Sequence, residues 1–409
     1  MEPKECNNIT CALVVVAKDE DKFLEEWINY YKNLGINKIF IGDNNLPEIP
    51  LKINDPKVEV IPFNSLDFIK TGYYNSQCFV YDTILNKIWD KFDYCLICDV
   101  DEFIEFKKHN TIQEFIQSSI IDPGYTVAEI WWETYDDNDL IHTQDKPVQS
   151  LYTRIQSKVD PYFTNMKKSI FKLCKGVRSQ PHWPLPESME EIGFKTIHID
   201  PEIAVCKHYR TKCLEDYIKH KANNQSLSSK SSFGGGNILK GYFSINYITA
   251  EKLFWACKFV KDINWKLSEV DKKWVLDQFR LYPLVTVIID LNNIQFKFIK
   301  LISNLNEIRG NGVNFLGIHD NTKNNLMAGE EEYLRKNHIP VLSVNPIRED
   351  LLSISKGLIT TPHYIILNEH NFLGICRDLS RIYEFIIDCP YYLEGLLKNS
   401  IYIYDTKRI

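Results

Sequence analysis

The first hundred residues alternate between apolar runs and amphipathic stretches. "ITCALVVVAKDEDKF" (9–23) opens with β-formers and turns abruptly polar, the pattern of a strand buried on both faces. In "DEDKFLEEWINYYKNLG" (19–35) the apolar Phe23, Leu24, Trp27, Tyr30, Tyr31 and Leu34 form a helical stripe, and Gly35 stands where a helix ends. "INKIFIGDNN" (36–45) then reads as a second strand and a polar turn, which completes a βαβ unit. "VEVIPF" (58–63) predicts a third strand, "NSQCFVYDTILNKIWDKF" (75–92) a helix and "YCLICDV" (94–100) a fourth strand. Alternating strands and helices predict an α/β sheet covered on both faces, with ligands beyond the carboxyl ends of its strands.

The pattern loosens from 124 to about 221, with strand-like "YTVAEIWWETY" and "TIHID", then a short strand and a helix in "EIAVCKHYRTKCLEDYIKHKANNQ". "NNQSLSSKSSFGGGN" (223–237) has no hydrophobic period and reads as a mobile loop, a lid or a linker. A helical segment follows over 249–281. "LVTVIIDLNN", "VNFLGIHDNTKNN" and "PHYIILNEHNF" then repeat the order of strand, helix, strand and Asp-Asn turn, with Asp320 at the place of Asp43. The expected domains are 1–248, a helical connector at 249–281 and a smaller C-terminal α/β domain at 282–409. The last reads either as an internal duplication, a degenerate repeat of the first, or as another βαβ domain that is alike only in type. Its Asn368-Glu369-His370 stands where the first has Asp-Val-Asp, so it is expected not to transfer a group but to scaffold or dock.

The chemistry concentrates in "FDYCLICDVDEFIEF" (92–106), where Asp99, Asp101, Glu102 and Glu105 follow a greasy strand. Their mutual repulsion must be answered by water or by something positive. A D-x-D at the carboxyl edge of a sheet suits a hard divalent cation, Mg²⁺ or Mn²⁺, that keeps part of its shell for waters and phosphates. A solvated acidic turn is the other reading. No G-x-x-x-x-G-K-[ST] or G-x-G-x-x-G occurs, which excludes P-loop and dinucleotide enzymes. A D-x-D-x-T phosphatase would carry its motif after the first strand and a threonine where Phe103 stands.

Of 409 residues, 44% are hydrophobic and 25% charged, ample for packed cores. The net charge of −6 argues against nucleic acid, so an anionic ligand needs a local basic patch. Lys207, His208, Arg210, Lys212, Lys219 and Lys221 supply one within fifteen residues. Eleven cysteines without a secretory leader predict reduced, mostly buried thiols in a cytoplasmic protein. No apolar run reaches the ~20 residues of a membrane span, which leaves peripheral membrane contact open.

Three blocks in order resemble one family. "VVVAKDEDKFLEEWINYYKNLGINKIFIGDNN", "QCFVYDTILNKIWDKFDYCLICDVDEFI" and "VCKHYRTKCLEDYIKHK" are similar to GT-A-fold glycosyltransferases of the family-2-like and family-92-like group. The resemblance implies a metal-dependent, inverting transfer of sugar from a UDP- or GDP-linked donor to a glycan or lipid-linked saccharide. It implies that Ala17, Lys18, Glu20, Asp43 and Asn44 border base and ribose, and that Gln77 faces the donor. By the same likeness Asp99 and Asp101 hold Mn²⁺ or Mg²⁺ at the diphosphate, with His208 a further ligand. Lys207, Arg210 and Lys221 would add positive charge. An inverting base is expected among Glu133, Asp136 and Asp137 in "WWETYDDND" (131–139), with Asp136 favoured. The sequence departs from the family pattern at Asp19, Leu46 and Cys213. The rivals are a non-catalytic carbohydrate- or nucleotide-binding protein and a metal-dependent phosphohydrolase.

Overall fold

In the computed structural model, residues 8–45, 50–63, 76–156, 166–185, 193–224, 238–263, 269–281, 285–290, 313–320, 328–336, 341–344, 363–367 and 403–405 are described. The chain divides into two units, Met1–Ser229 with Ser244–Asn246, and Lys230–Phe243 with Tyr247–Ile409.

The first unit is built on one mixed sheet. Its parallel block comprises β1 (Cys11–Ala17), β2 (Lys38–Asp43), β3 (Val58–Pro62) and β4 (Tyr94–Ile97), in the order β3-β2-β1-β4. The sheet continues through β7 (Lys167–Lys172), antiparallel to β4, then β6 (Val127–Thr134), β9 (Ala204–His208) and β5 (Glu102–Phe106). A short β8 (Thr196–His198) runs parallel beside β6.

Because β1 lies between β2 and β4, both of its faces are covered, which is why its sequence is a continuous apolar run. Cys11, Leu13 and Val15 pack on one face against Trp27 and Tyr31 of helix α1 (Asp21–Asn33). Ala12 and Val14 pack on the other against Tyr81, Ile84, Leu85 and Ile88 of helix α2 (Ser76–Ile88). The same alternation sends Cys95 and Cys98 into different cores, as their spacing of three predicts. Gly35 ends α1 at φ +97°, and an added Cβ would stand 2.5 Å from the Gln113 Oε1. Gln113 donates to the Gly35 carbonyl at 2.7 Å, so backbone conformation and close approach both demand glycine.

After β5 come helix α3 (Ile112–Ile116), helix α4 (Val148–Leu151) and helix α5 (Leu214–Asn224). Strands β5 and β7 are the elements the apolar pattern does not predict. Each is short, and β5 carries two charged residues and β7 three. The loop expected at 223–237 lies, from 225 on, outside the described residues.

The second unit holds helices α6 (Ile238–Phe243), α7 (Ala250–Asp262) and α8 (Glu269–Leu281), so the expected connector belongs to it. Thr249 caps α7, accepting from the Lys252 amide. Its sheet runs β12 (Val341–Val344), β11 (Val313–Asp320), β10 (Val285–Asp290), β13 (His363–Leu367), all parallel, then β14 (Ile403–Asp405), antiparallel to β13. That repeats the order and directions of β3-β2-β1-β4-β7. Helix α9 (Ala328–Lys336) lies between β11 and β12 in sequence. The two units are thus α/β domains, the larger one of the GT-A type. The eight described cysteines are free thiols, six of them buried.

Candidate active site

The acidic cluster sits where β4 ends and the chain turns into β5. The turn closes on itself: the Glu102 amide donates to the Asp99 carbonyl at 3.0 Å, and the Asp99 amide to Glu102 Oε2 at 2.7 Å. Helix α1 pins it from one side, with Trp27 Nε1 and the Tyr31 hydroxyl donating to the Glu102 carbonyl at 3.1 and 3.0 Å.

The repulsion is answered from within the protein. Lys168, on β7 and fully buried, donates to Asp99 Oδ2 at 2.7 Å and lies 2.9 Å from Glu102 Oε2. It also donates to the Pro181 carbonyl at 2.8 Å. Burial disfavours this ammonium, but Asp99 and Glu102 outweigh it and keep it charged. Burial pushes the Glu102 carboxyl up, with Lys168 opposing. Its Oε1 is buried and has no hydrogen-bond partner among the described residues. Glu105 pairs with Lys207 at 2.7 Å.

Asp101 has a different setting. Strand β9 lies between β5 and β6, in a register that sets His208 opposite both Glu102 and Thr134. His208 Nε2 then stands 3.7 Å from Asp101 Oδ1, and Lys212 Nζ 4.0 Å from Asp101 Oδ2. Burial raises the Asp101 carboxyl, but His208 and Lys212 overcome it and hold the group well below the usual carboxylate range. The His208 ring lies 4.1 Å from Trp132, whose other neighbour His182 is 5.3 Å away. Burial and Lys168 lower His182 to about 4, so it is neutral near pH 7.

Asp101 and His208 present a carboxylate oxygen and an imidazole nitrogen 3.7 Å apart. Adjacent ligands on one six-coordinate ion with bonds of ~2.1 Å stand roughly 3 Å apart, so the two side chains would have to close slightly to share one. Oxygen plus imidazole is a donor set that Mn²⁺ accepts. Asp99 enters less directly, because one of its oxygens is already held by Lys168. Among the described residues, the three-ligand group with atoms within 4.8 Å of one another is Cys98, Glu102 and Cys206, all buried. Burial raises both thiols, which disfavours the thiolates a soft metal needs.

The remaining candidates fall into separate places. Ala17 ends β1 and accepts from the Asn44 amide at 2.9 Å. Asp43 is buried and gives its oxygens to the amides of Asn45 and Leu51, at 2.9 and 2.8 Å, so it shapes the turn after β2. Lys18 is half-buried beside Asp19, whose φ is +55°. Glu20 lies 3.4 Å from His220 of α5, and Gln77 is half-buried in the first turn of α2. Lys207 is opposite Glu133 and Phe103 in register, hence on the face of β9 away from His208. Arg210 is half-buried after β9, and the Lys221 side chain is outside the described set.

Of the acidic candidates at 133–137, Glu133 accepts from the Tyr135 hydroxyl at 2.6 Å, on the side that Lys207 shares. Asp136 is buried, accepting from the Asn138 amide at 2.8 Å and from Arg154 Nε at 2.6 Å. Asp137, also buried, accepts from the Asp139 amide at 2.9 Å, and its own amide donates to Asn246 at 2.8 Å. These aspartates hold a tight loop in which Asn138 and Asp139 have φ of +47° and +61°. Lys168 is the residue that sequence reading missed. Its one signal is the lysine pair before "SIF" in "KKSIFK", and its partners are 66 and 69 positions away.

A D-x-D turn thus follows the fourth strand of a parallel block ordered β3-β2-β1-β4 and is backed by antiparallel strands. The model of glycosyltransferase family 92 matches residues 14–240, more than half of the chain, and the chain belongs to that family. Among solved structures it is similar to S. aureus TarS 1–349 (11% identity, 67% of this chain and 85% of that one, TM-score 0.29). TarS 1–349 in complex with UDP-GlcNAc matches at 10% identity, over 67% and 86%, with TM-score 0.27. The glycosyltransferase GlyE of Streptococcus pneumoniae TIGR4 matches at 11% identity, over 92% and 100%, with TM-score 0.23. No curated protein matches the chain.

Proposed function

We propose that this glycosyltransferase moves one sugar from a UDP- or GDP-linked donor to a hydroxyl of a glycan or lipid-linked saccharide, with inversion, and with Mn²⁺ or Mg²⁺ at Asp101 and His208. The observation that carries this reading is the division of labour in the D-x-D turn. Asp99 is neutralised inside the protein by Lys168, while Asp101 faces His208 and Lys212 without a hydrogen bond to either.

Transfer breaks the bond between the anomeric carbon and the diphosphate, so negative charge grows on the leaving phosphate oxygen. A bound divalent cation would supply Lewis-acid stabilisation of that charge. The protein's own part is to hold Asp101 ionised, to fix the His208 ring against Trp132, and to present Lys212 beside them. Trp131 and Trp132 on β6 add flat apolar surface that a sugar ring can use. Inversion also needs a base for the acceptor hydroxyl. Asp136 already gives both oxygens to its loop, so its replacement is expected to act on the loop before it acts on proton transfer.

The test is release of nucleoside diphosphate from a panel of nucleotide-sugars, with and without Mn²⁺, in wild type and Asp101→Ala. One donor should be turned over, with strong loss in the variant, and the anomer of the product read by NMR reports the stereochemistry. No turnover and no nucleotide binding in wild type would sink the reading and favour the non-catalytic carbohydrate-binding rival.

A further inference from the structure

Inversion needs a base beside the acceptor hydroxyl, and the carboxylates at 133–137 are engaged in their own loop. Glu133 accepts from Tyr135, Asp136 from the Asn138 amide and Arg154, and Asp137 from the Asp139 amide. His182 is placed differently. Strand β7 runs antiparallel to β4 with Ile170 opposite Leu96, so Lys167 and Lys168 lie past the carboxyl end of β4, beside the D-x-D turn. The segment that carries His182 is tied down there. Lys168 donates to the Pro181 carbonyl and the Ser169 hydroxyl to the His182 carbonyl, each at 2.8 Å. The Ser179 hydroxyl donates to the Trp183 carbonyl at 3.1 Å.

The ring is fixed as well. His182 Nδ1 lies 3.3 Å from the Lys167 carbonyl, which can only accept, so Nδ1 carries the proton and Nε2 keeps its lone pair. That nitrogen makes no hydrogen bond among the described residues, and the ring is only half-buried. The other histidines whose side chains are described stand beside a carboxylate (His142, His198, His208, His220) or a serine (His109). The His182 ring instead meets Trp132 at 5.3 Å, and Trp132 meets His208 at 4.1 Å. One indole therefore brings His182 to the place where Asp101 and His208 stand. Burial, Lys168 and His208 lower the ring against Asp99 and the Lys167 carbonyl, which leaves a base about as strong as an ordinary carboxylate.

We propose that His182 Nε2 is the base that takes the proton of the acceptor hydroxyl. This deepens the glycosyl-transfer reading and rests on it. The O–H proton passes to Nε2 and the freed oxygen pair bonds the anomeric carbon. The bond from that carbon to the diphosphate breaks, and its electron pair leaves with the nucleoside diphosphate. The Lys167 carbonyl holds the second ring nitrogen, as a base of this kind requires. The half-exposed ring then gives its proton to water.

The experiment follows hydrolysis of a panel of UDP- and GDP-sugars at fixed Mn²⁺, with water as acceptor, in wild type, His182→Ala and His182→Gln. Calorimetry of UDP and GDP accompanies it. In both variants kcat should fall about a hundredfold or more, with diphosphate affinity and melting temperature close to wild type. Added imidazole should restore part of the rate in the Ala variant. Azide, which attacks without losing a proton, should be glycosylated at similar rates by variants and wild type. Hydrolysis in both variants within about threefold of wild type overturns the proposal and leaves glycosyl transfer standing. A fall in rate that neither imidazole nor azide answers makes His182 structural and also overturns it. Diphosphate binding in wild type without hydrolysis of any donor overturns it too, because a base at the reacting carbon would activate water. Absence of both binding and hydrolysis in wild type defeats the glycosyl-transfer reading itself, and this proposal with it.

Discussion

Removing Lys168 should cost more than removing any surface charge, because the fully buried Glu102 would be left beside Asp99 without a counter-ion. Loss of one partner from a buried ionic group destabilises by ~3–5 kcal/mol, and Lys168→Met is expected to do so in urea unfolding. Adding Glu102→Gln should recover part of the loss. If the double variant is as unstable as the sum of the two singles, the lysine is not the counter-ion described above. Asp136→Asn is expected to lower stability by ~1–3 kcal/mol through its weakened, no longer ionic, bond with Arg154, with turnover falling in step. Full stability with abolished turnover would instead make Asp136 the base. The two residues differ in legibility. The D-x-D announces itself because an apolar strand runs straight into it. Lys168 acquires its meaning only when β7 lies against β4, and nothing local to "KKSIFK" says which strand that will be.

The alternation of parallel strands and helices was the part of the fold most open to sequence reading, and register the least. Continuous apolar runs mark β1, β2 and β4 as buried on both faces, and the helices between them force parallel pairing. The antiparallel half depends on short strands whose polar residues are bound inside the sheet, so their pattern mimics a loop. Register decides the site: one residue of slip in β9 would exchange His208 for Lys207 at the Asp101 side. The segment after β7 contributes a titration. His182 is lowered from the ordinary 6.5 to about 4, first by burial and then by Lys168. The unfolded chain therefore takes up this proton more readily, and its contribution to stability falls as pH drops from 6.5 toward 4, with no further change below. His182→Gln should flatten that part of the stability profile. An unchanged slope in urea midpoints over that range would assign the dependence to other groups.

At the scale of the whole molecule the net charge is −6, yet the D-x-D turn has two lysines beside it. Lys168 and Lys212 offset much of the negative charge that would attract a free divalent ion. Mn²⁺ alone should bind weakly, and markedly tighter in the presence of the nucleoside diphosphate, with the reciprocal gain in nucleotide affinity that linkage requires. Calorimetry in both orders of addition measures it, and equal Mn²⁺ affinity with and without nucleotide would refute it. No helix among the described residues is long and apolar enough to cross a membrane. The second sheet repeats the order β3-β2-β1-β4-β7 of the first, and the sequence after β13 reads Asn368-Glu369-His370 where the first unit has its D-x-D.

The ion pair in the core also constrains how the sequence can change over generations. A lineage cannot exchange Lys168 for an apolar residue while Glu102 remains acidic, since the intermediate carries a buried charge without its counter-ion. Positions 102 and 168 should therefore be inherited as a pair, either both ionic or both neutral. Asp101 and Lys212, which meet only across 4.0 Å, are under a weaker mutual restraint.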